Sequence, residues 1–340
     1  MFELQILLAN VLAPIAIFVF AIVLDFFVAR PANAKGTGDT GHNRTPIQPI
    51  GSPIQTRISA LIASAATALA IWTAFGMRNE FVWWSEDYWQ QIPIATATVA
   101  FGSFIAQSLP RALHRWLGLP ICFVALNLAA NLVTPQGESW ADVVEPRILW
   151  LSLLVVGPLL SSVGLTLLPP RIQACVLFGW IAAAVASAFL AAQSFMKVTE
   201  PMLACATCFG MTGVYCSIRN RGEFAFCVAL PATFALATLA ANGQFNSYLG
   251  LSNGITYLAM MQTALTVFSV VVLVNWLLPG RSTSAPESSR PPDSPPQSNQ
   301  APLWKTLGIV LGLSVFIAAA TILWTGSEAG FGEDVTEEEW

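Results

Sequence analysis

ILWLSLLVVGPLLSSVGLTLLPPRIQACVLFGWIAAAVASAFLAAQSF, residues 148–195, decides the fold. Its first 21 residues (148–168) and its last 24 (172–195) contain no Asp, Glu, Lys or Arg, and only Pro169, Pro170 and Arg171 separate them. A transmembrane helix needs about 20 mostly apolar residues to cross roughly 30 Å of hydrocarbon. With no water there, the backbone must satisfy its own hydrogen bonds, which a helix does within one segment. The stretch therefore reads as two antiparallel membrane-spanning helices joined by a tight turn.

Outward from this hairpin the same pattern repeats. Uncharged apolar blocks occupy 4–24, 58–77, 92–109, 117–133, 202–218, 224–241, 255–278 and 306–324, giving ten with the central pair. By these bounds all 34 charged residues fall in connections and tails. Charged residues make up 10% of the chain, against about 25% in soluble domains. The expected fold is an all-α, polytopic bundle of ten transmembrane helices spanning 1–340 as one domain. No connection is long and apolar enough to form a soluble core.

The charges also predict an orientation. Cytoplasmic loops of membrane proteins carry the excess of Lys and Arg. With the N-terminus outside, the connections 25–57, 110–116, 169–171, 219–223 and 279–305 lie inside and hold 12 of the 15 basic residues. The outer side holds Arg78, Arg147 and Lys197. This 12:3 split predicts N-out, C-out and supports ten crossings. The first block is read as a span rather than a cleaved signal, because it is preceded by Glu3 and by no Lys or Arg.

Residues 31–56, rich in Gly, Pro, Thr and Asn, and 282–302, rich in Ser and Pro, read as disordered cytoplasmic linkers. Residues 325–340 read as an acidic outer tail. In the outer connection 78–91, Trp83, Trp84, Tyr88 and Trp89 at helical spacing predict an interfacial helix in the aromatic belt. With Glu86 and Asp87 the same stretch offers the elements of a cation or sugar site. Short matches at offsets of 104 to 111 residues, such as Leu167-Leu168-Pro169-Pro170-Arg171 with Leu277-Leu278-Pro279-Gly280-Arg281, suggest that helices 2–5 and 6–9 are a parallel duplication. Transporters use such repeats, with a site between the halves.

Chemistry-bearing residues inside the blocks are few. Asn127 and Asn131 share one face of helix 4, and Gln107 and Gln262 lie in helices 3 and 9. An amide in hydrocarbon needs a partner, so these four are expected to face the bundle, bonding between helices or lining a polar cavity. Helix 7 carries Cys205-Ala206-Thr207-Cys208, a candidate redox pair on one helical face. These four residues are similar to the CxxC of quinone-linked disulfide-forming membrane enzymes, and that resemblance implies thiol oxidation near the outer surface. The structural alternative is a small-residue packing face, in which buried thiols without a cationic neighbour are inert.

With His42 and His114 placed in connections and no Asp in any block, intramembrane serine and aspartyl proteolysis and bis-histidine haem ligation are excluded at this stage. Proton coupling through a buried acid is disfavoured for the same reason. No nucleotide-binding loop or zinc motif occurs. Three classes remain: a non-enzymatic permease of a neutral or lipophilic small molecule, a structural or assembly subunit of a membrane complex, and an enzyme of lipid-linked glycosyl transfer or thiol redox chemistry. No cofactor or metal is expected. The expected partners are the lipid bilayer and other membrane subunits, not nucleic acid, in the plasma (inner) membrane of a prokaryotic cell.

Overall fold

The computed structural model describes residues 7–28, 53–76, 87–136, 144, 146–194, 196–219, 222–246, 253–277, 308–317 and 319–320. Every extended regular element among them is helical. Helix α1 enters through a π-helical turn, Leu8–Leu12, and continues as Ala13–Val28. There follow α2 (Pro53–Gly76), a 3-10 turn (Tyr88–Gln91), α3 (Ile92–Ser108), α4 (Arg111–Val133), α5 (Arg147–Thr166), α6 (Pro170–Ser194), α7 (Met196–Ile218), α8 (Gly222–Phe245) and α9 (Asn253–Leu277). A short helix α10 covers Gly308–Ile317. Eight helices, α1, α2 and α4 to α9, are long and apolar enough to cross a membrane; α3, with 17 residues, and α10 are shorter.

The helices fall on the ten apolar blocks, but several extend beyond the first charge. α1 runs past Asp25 to Val28, α2 already includes Arg57, and α4 begins at Arg111. The reason is that backbone hydrogen bonding does not stop where the hydrocarbon does; the bilayer with its headgroups is about 40–45 Å thick. Two expectations are thereby corrected. Residues 53–56 belong to α2 and not to a linker, since proline is favoured at the first helical position, where its missing amide hydrogen costs nothing. Trp89 does not face outward: the 3-10 turn folds it inward to 4% exposure. There its ring lies 6.1 Å from that of Phe75, and the Lys197 Nζ sits 5.3 Å from its centroid. Trp83, Trp84 and Glu86, residues 31–52 and 282–302, and the tail 325–340 lie outside the described residues.

Helix α8 is the axis of the bundle. Every residue from Phe224 to Phe245 is buried, against α2, α3, α5, α6, α7 and α9 and, less extensively, α4. A helix apolar on all sides can be enclosed on all sides. The seven alanines of α8 keep it slim enough to be surrounded. In a bilayer, helix association depends on close packing and interhelical hydrogen bonds rather than on escape from water. The bundle shows both. Gly102 of α3 lies so near α4 that an added Cβ would come within 2.4 Å of the Ala125 Cβ, and at Gly164 of α5 the Val267 Cγ1 would be at 2.4 Å. The hydroxyls of Ser161 and Thr263 meet at 2.9 Å, and those of Ser64 and Ser103 at 3.3 Å.

Among the described residues, short turns and contacts between helix ends gather those ends into two groups. Near one end, Trp150 of α5 packs its ring against Phe245 of α8 (4.9 Å) and Tyr257 of α9 (4.7 Å). The other end carries Arg57, Arg111, Arg115, Arg171 and Arg219 and is termed the basic end. Both tight turns at 109–110 and 167–169, and the Asp25 contacts described below, lie there.

Candidate functional site

Two prolines shape the basic end. Pro110 has no amide hydrogen to extend α3, which stops at Ser108; its carbonyl instead accepts the Leu113 and His114 amides at 2.9 and 2.8 Å and starts α4. The Pro169 carbonyl does the same for Ile172 and Gln173 at 2.8 and 3.0 Å, starting α6. Between these turns and the start of α8 lies a cavity of about 610 Å³, within the range of small-molecule sites. Its polar lining comes from five helices: Gln107 (α3), His114 and Arg115 (α4), Thr166 (α5), Gln173 (α6) and Glu223 (α8). Gly118, Leu119 and Cys122 extend its lining along α4. Cys122 is the middle residue of that helix, about 16 Å along the axis from its start at 1.5 Å per residue.

Two of the polar groups are fixed. The His114 Nδ1 lies 2.7 Å from the Ala106 carbonyl oxygen, which can only accept, so Nδ1 carries the hydrogen and Nε2 is left for other partners. This bond ties the first turn of α4 to the last of α3. Gln173 is buried, and its Nε2 donates to the Leu168 carbonyl at 2.9 Å, leaving the amide oxygen as an acceptor. Arg115 and Glu223 are exposed at the rim, so the mouth holds both signs of charge and the wall behind it is amide, imidazole and aliphatic.

A second polar cluster lies elsewhere at the basic end. Asp25 is 0% exposed, and its two oxygens accept hydrogen bonds from the Ser59 hydroxyl of α2 and the Tyr215 hydroxyl of α7. Beside it the Arg219 guanidinium lies 4.3 Å from the Phe26 ring centroid. This corrects the expectation of a core without carboxylates. A block defined as charge-free ends at residue 24 by construction, although Phe26, Phe27 and Val28 continue the apolar run. His114 likewise stands inside α4, not in a connection.

The four amides singled out from sequence separate. Gln107 lines the cavity. Gln262 is 0% exposed, and among the described residues neither its nitrogen nor its oxygen has a hydrogen-bond partner. Asn127 is half-buried and bonds back to the Phe123 carbonyl at 2.9 Å. Asn131 is exposed rather than facing the bundle: its amide bonds back to the Asn127 carbonyl at 2.9 Å, and its oxygen accepts from Arg147 at 3.2 Å. Back-bonding satisfies the amide nitrogen of a helical asparagine on its own helix, and for Asn131 the oxygen is met by Arg147 at the exposed start of α5, so neither group needs the bundle interior.

Cys205 and Cys208 are both 0% exposed free thiols, and neither lines the cavity. Of the aromatic connection, Asp87 is exposed, and the Tyr88 hydroxyl donates to the Gln136 carbonyl at 3.3 Å and accepts from the Gln136 amide at 3.1 Å. Among the described residues no three His, Cys, Asp or Glu side chains converge to hold a metal. The lining residues missed from sequence, His114, Arg115, Thr166, Gln173 and Glu223, each flank a helix end. The only signal for them was that two Leu-Pro turns and the short 219–223 connection bring those ends together.

No protein-family model, curated protein or solved structure matches the chain.

Proposed function

We propose that the protein is a non-enzymatic permease for a neutral or zwitterionic small molecule, with the 610 Å³ cavity as its site on the cytoplasmic side. The observation that carries this reading is the composition of that cavity and the convergence of five helices on it. It is lined by helices of both proposed halves, α3 to α5 and α6 with α8, and it runs from the basic end to the middle of α4. A solid bundle serving only as scaffold has no need of such an opening. Amides and one imidazole suit hydrogen bonding to a polar solute, and Leu119, Cys122, Val163 and Phe226 suit its apolar part. Arg115 and Glu223 at the rim favour a solute without large net charge.

The finer features belong to the same proposal. Ten crossings, an N-out and C-out course and a basic end facing the cytoplasm follow from the 12:3 distribution of Lys and Arg. A parallel duplication of α2–α5 and α6–α9 accounts for a site between halves. A prokaryotic inner membrane suits this charge distribution.

The test is uptake into liposomes holding the purified protein, from a panel of neutral and zwitterionic solutes. At least one solute should accumulate, and Gln107→Leu and Gln173→Leu, which remove hydrogen-bonding groups at the cavity wall, should each reduce its uptake about tenfold, the effect of losing roughly 1.4 kcal/mol of binding. Uptake equal to empty liposomes across the panel would sink the permease reading.

A further inference from the structure

The wall of the cavity is incomplete on one side. Leu119 and Leu126 of α4 are seven residues apart, about two turns, and so lie on one side of that helix. Leu126 is 0% exposed, whereas Leu119, which lines the cavity, is 52% exposed. This side of α4 is thus sealed in the middle of the helix and open nearer the basic end. Across the gap α5 contributes Val163 and Thr166 to the lining. The same two helices meet at the opposite end, where Arg147 reaches Asn131. Both lips of the gap are apolar: Trp116 (77% exposed) and Phe123 (50%) on α4, Leu160 (53%) and Leu167 (71%) on α5. Each stands within about 60° of Leu119 or Val163 around its helix, at roughly 100° per residue. A large exposed apolar surface of this kind faces lipid, so the cavity opens sideways to the bilayer.

Trp116 marks the level of this opening, since exposed tryptophans gather at the headgroups. Leu119 lies about 5 Å further along the axis. Beside Trp116 stands the Arg115 guanidinium, whose fork of donors matches a phosphate. The remaining polar groups of the lining are acceptors: the Glu223 carboxylate, the Gln173 amide oxygen, and the His114 Nε2, the acceptor nitrogen when Nδ1 holds the hydrogen. A primary ammonium carries three N–H donors, one for each of them; a trimethylated ammonium carries none. We propose that the cavity binds a phospholipid whose headgroup holds a phosphate and a primary ammonium, entering between α4 and α5 from the leaflet at the basic end. The phosphate meets Arg115, the ammonium meets Glu223, His114 and Gln173, and the acyl chains leave over Leu119 and Val163 between the lips.

The acyl chains are what the gap asks for. A water-soluble zwitterion satisfies the same polar groups but leaves water against Leu119, Val163 and Phe226, whereas a lipid chain covers them and continues the bilayer into the gap. The binding stands on this geometry alone. Only the further step, that the bound lipid is also what the protein moves, rests on the permease reading.

The test is native mass spectrometry of the purified full chain with dioleoyl-phosphatidylethanolamine or dioleoyl-phosphatidylcholine, for the wild type, Glu223→Gln and Leu119→Trp. The first ethanolamine lipid should bind about tenfold tighter than the choline lipid, the worth of one hydrogen bond to a charged group. Glu223→Gln should lose most of that preference, and Leu119→Trp, which fills the gap, should weaken both lipids. Both positions are exposed, so the variants should melt like the wild type. Equal binding of the two lipids by the wild type would overturn the proposal, as would variants that bind as the wild type does. O-phosphoethanolamine, the headgroup alone, separates the sources. Displacement of the lipid only at far higher concentration supports the lipid; binding as tight as the lipid's makes the ligand a free zwitterion, which overturns the proposal and keeps the permease. In liposomes, a lipid preference without transfer of a tail-labelled ethanolamine lipid between leaflets would reject its transport and leave the binding site standing.

Discussion

Gly102→Ala should separate α3 from α4, and the size of the effect follows from the geometry. A Cβ at 102 would lie 2.4 Å from the Ala125 Cβ, where ordinary contact begins at 3.4 Å. Neither atom is the tip of a flexible side chain, so the strain cannot be relieved by a rotamer change, and the two helix axes must part by about 1 Å. Overpacking of this kind costs about 1–3 kcal/mol. At about 2–4 °C per kcal/mol for chains of this order of size, the melting temperature in detergent should fall by roughly 2–12 °C. The partner substitution Ala125→Gly removes the clashing atom, so the double variant Gly102→Ala/Ala125→Gly should recover most of the loss. That coupling, measured as a double-mutant cycle by thermal unfolding of the purified protein, isolates the contact from general effects at either site. A Gly102→Ala variant as stable as the wild type, or a double variant no better than the single, would refute the close approach of α3 and α4.

Gln262→Leu should leave the protein equally stable or raise its stability by about 1–3 kcal/mol. It replaces a buried amide that has no partner among the described residues with an apolar side chain of similar size; thermal unfolding in detergent reads it directly. Cys205 and Cys208, both 0% exposed, should resist a water-soluble maleimide in the folded protein and react once it is denatured, as followed by mass spectrometry. Rapid modification of either thiol in the native state would reopen the redox reading.

The spans were legible in the sequence because apolar runs such as 172–195 report burial in lipid or protein alike. Their ends were less so, because charge-free blocks stop at the first charge whereas helices such as α1 and α4 continue through it. Asp25 was lost to that rule. The axial position of α8 was not legible either: its apolar and alanine content resembles that of its neighbours α2 and α6. Gln107 was recognised because an amide inside an apolar block stands out. Arg115, Gln173 and Glu223 gave no such signal, for each sits beside a helix end where polar residues are ordinary. Their meeting depends on how five helices converge, which no local pattern encodes. Asn131 shows the converse error, since a polar residue on an apolar helix satisfied itself on its own backbone.

In the proposed orientation, the membrane bundle opens its polar cavity to the cytoplasm at its basic end. Side-specific labelling of Gln107→Cys tests it most directly, in a background with Cys122→Ser and with the remaining native thiols buried. A membrane-impermeant maleimide should modify this position in inside-out vesicles and not in right-side-out vesicles. Labelling only from the opposite face would reverse the orientation. No labelling from either face would show that water does not reach the cavity and would contradict the account.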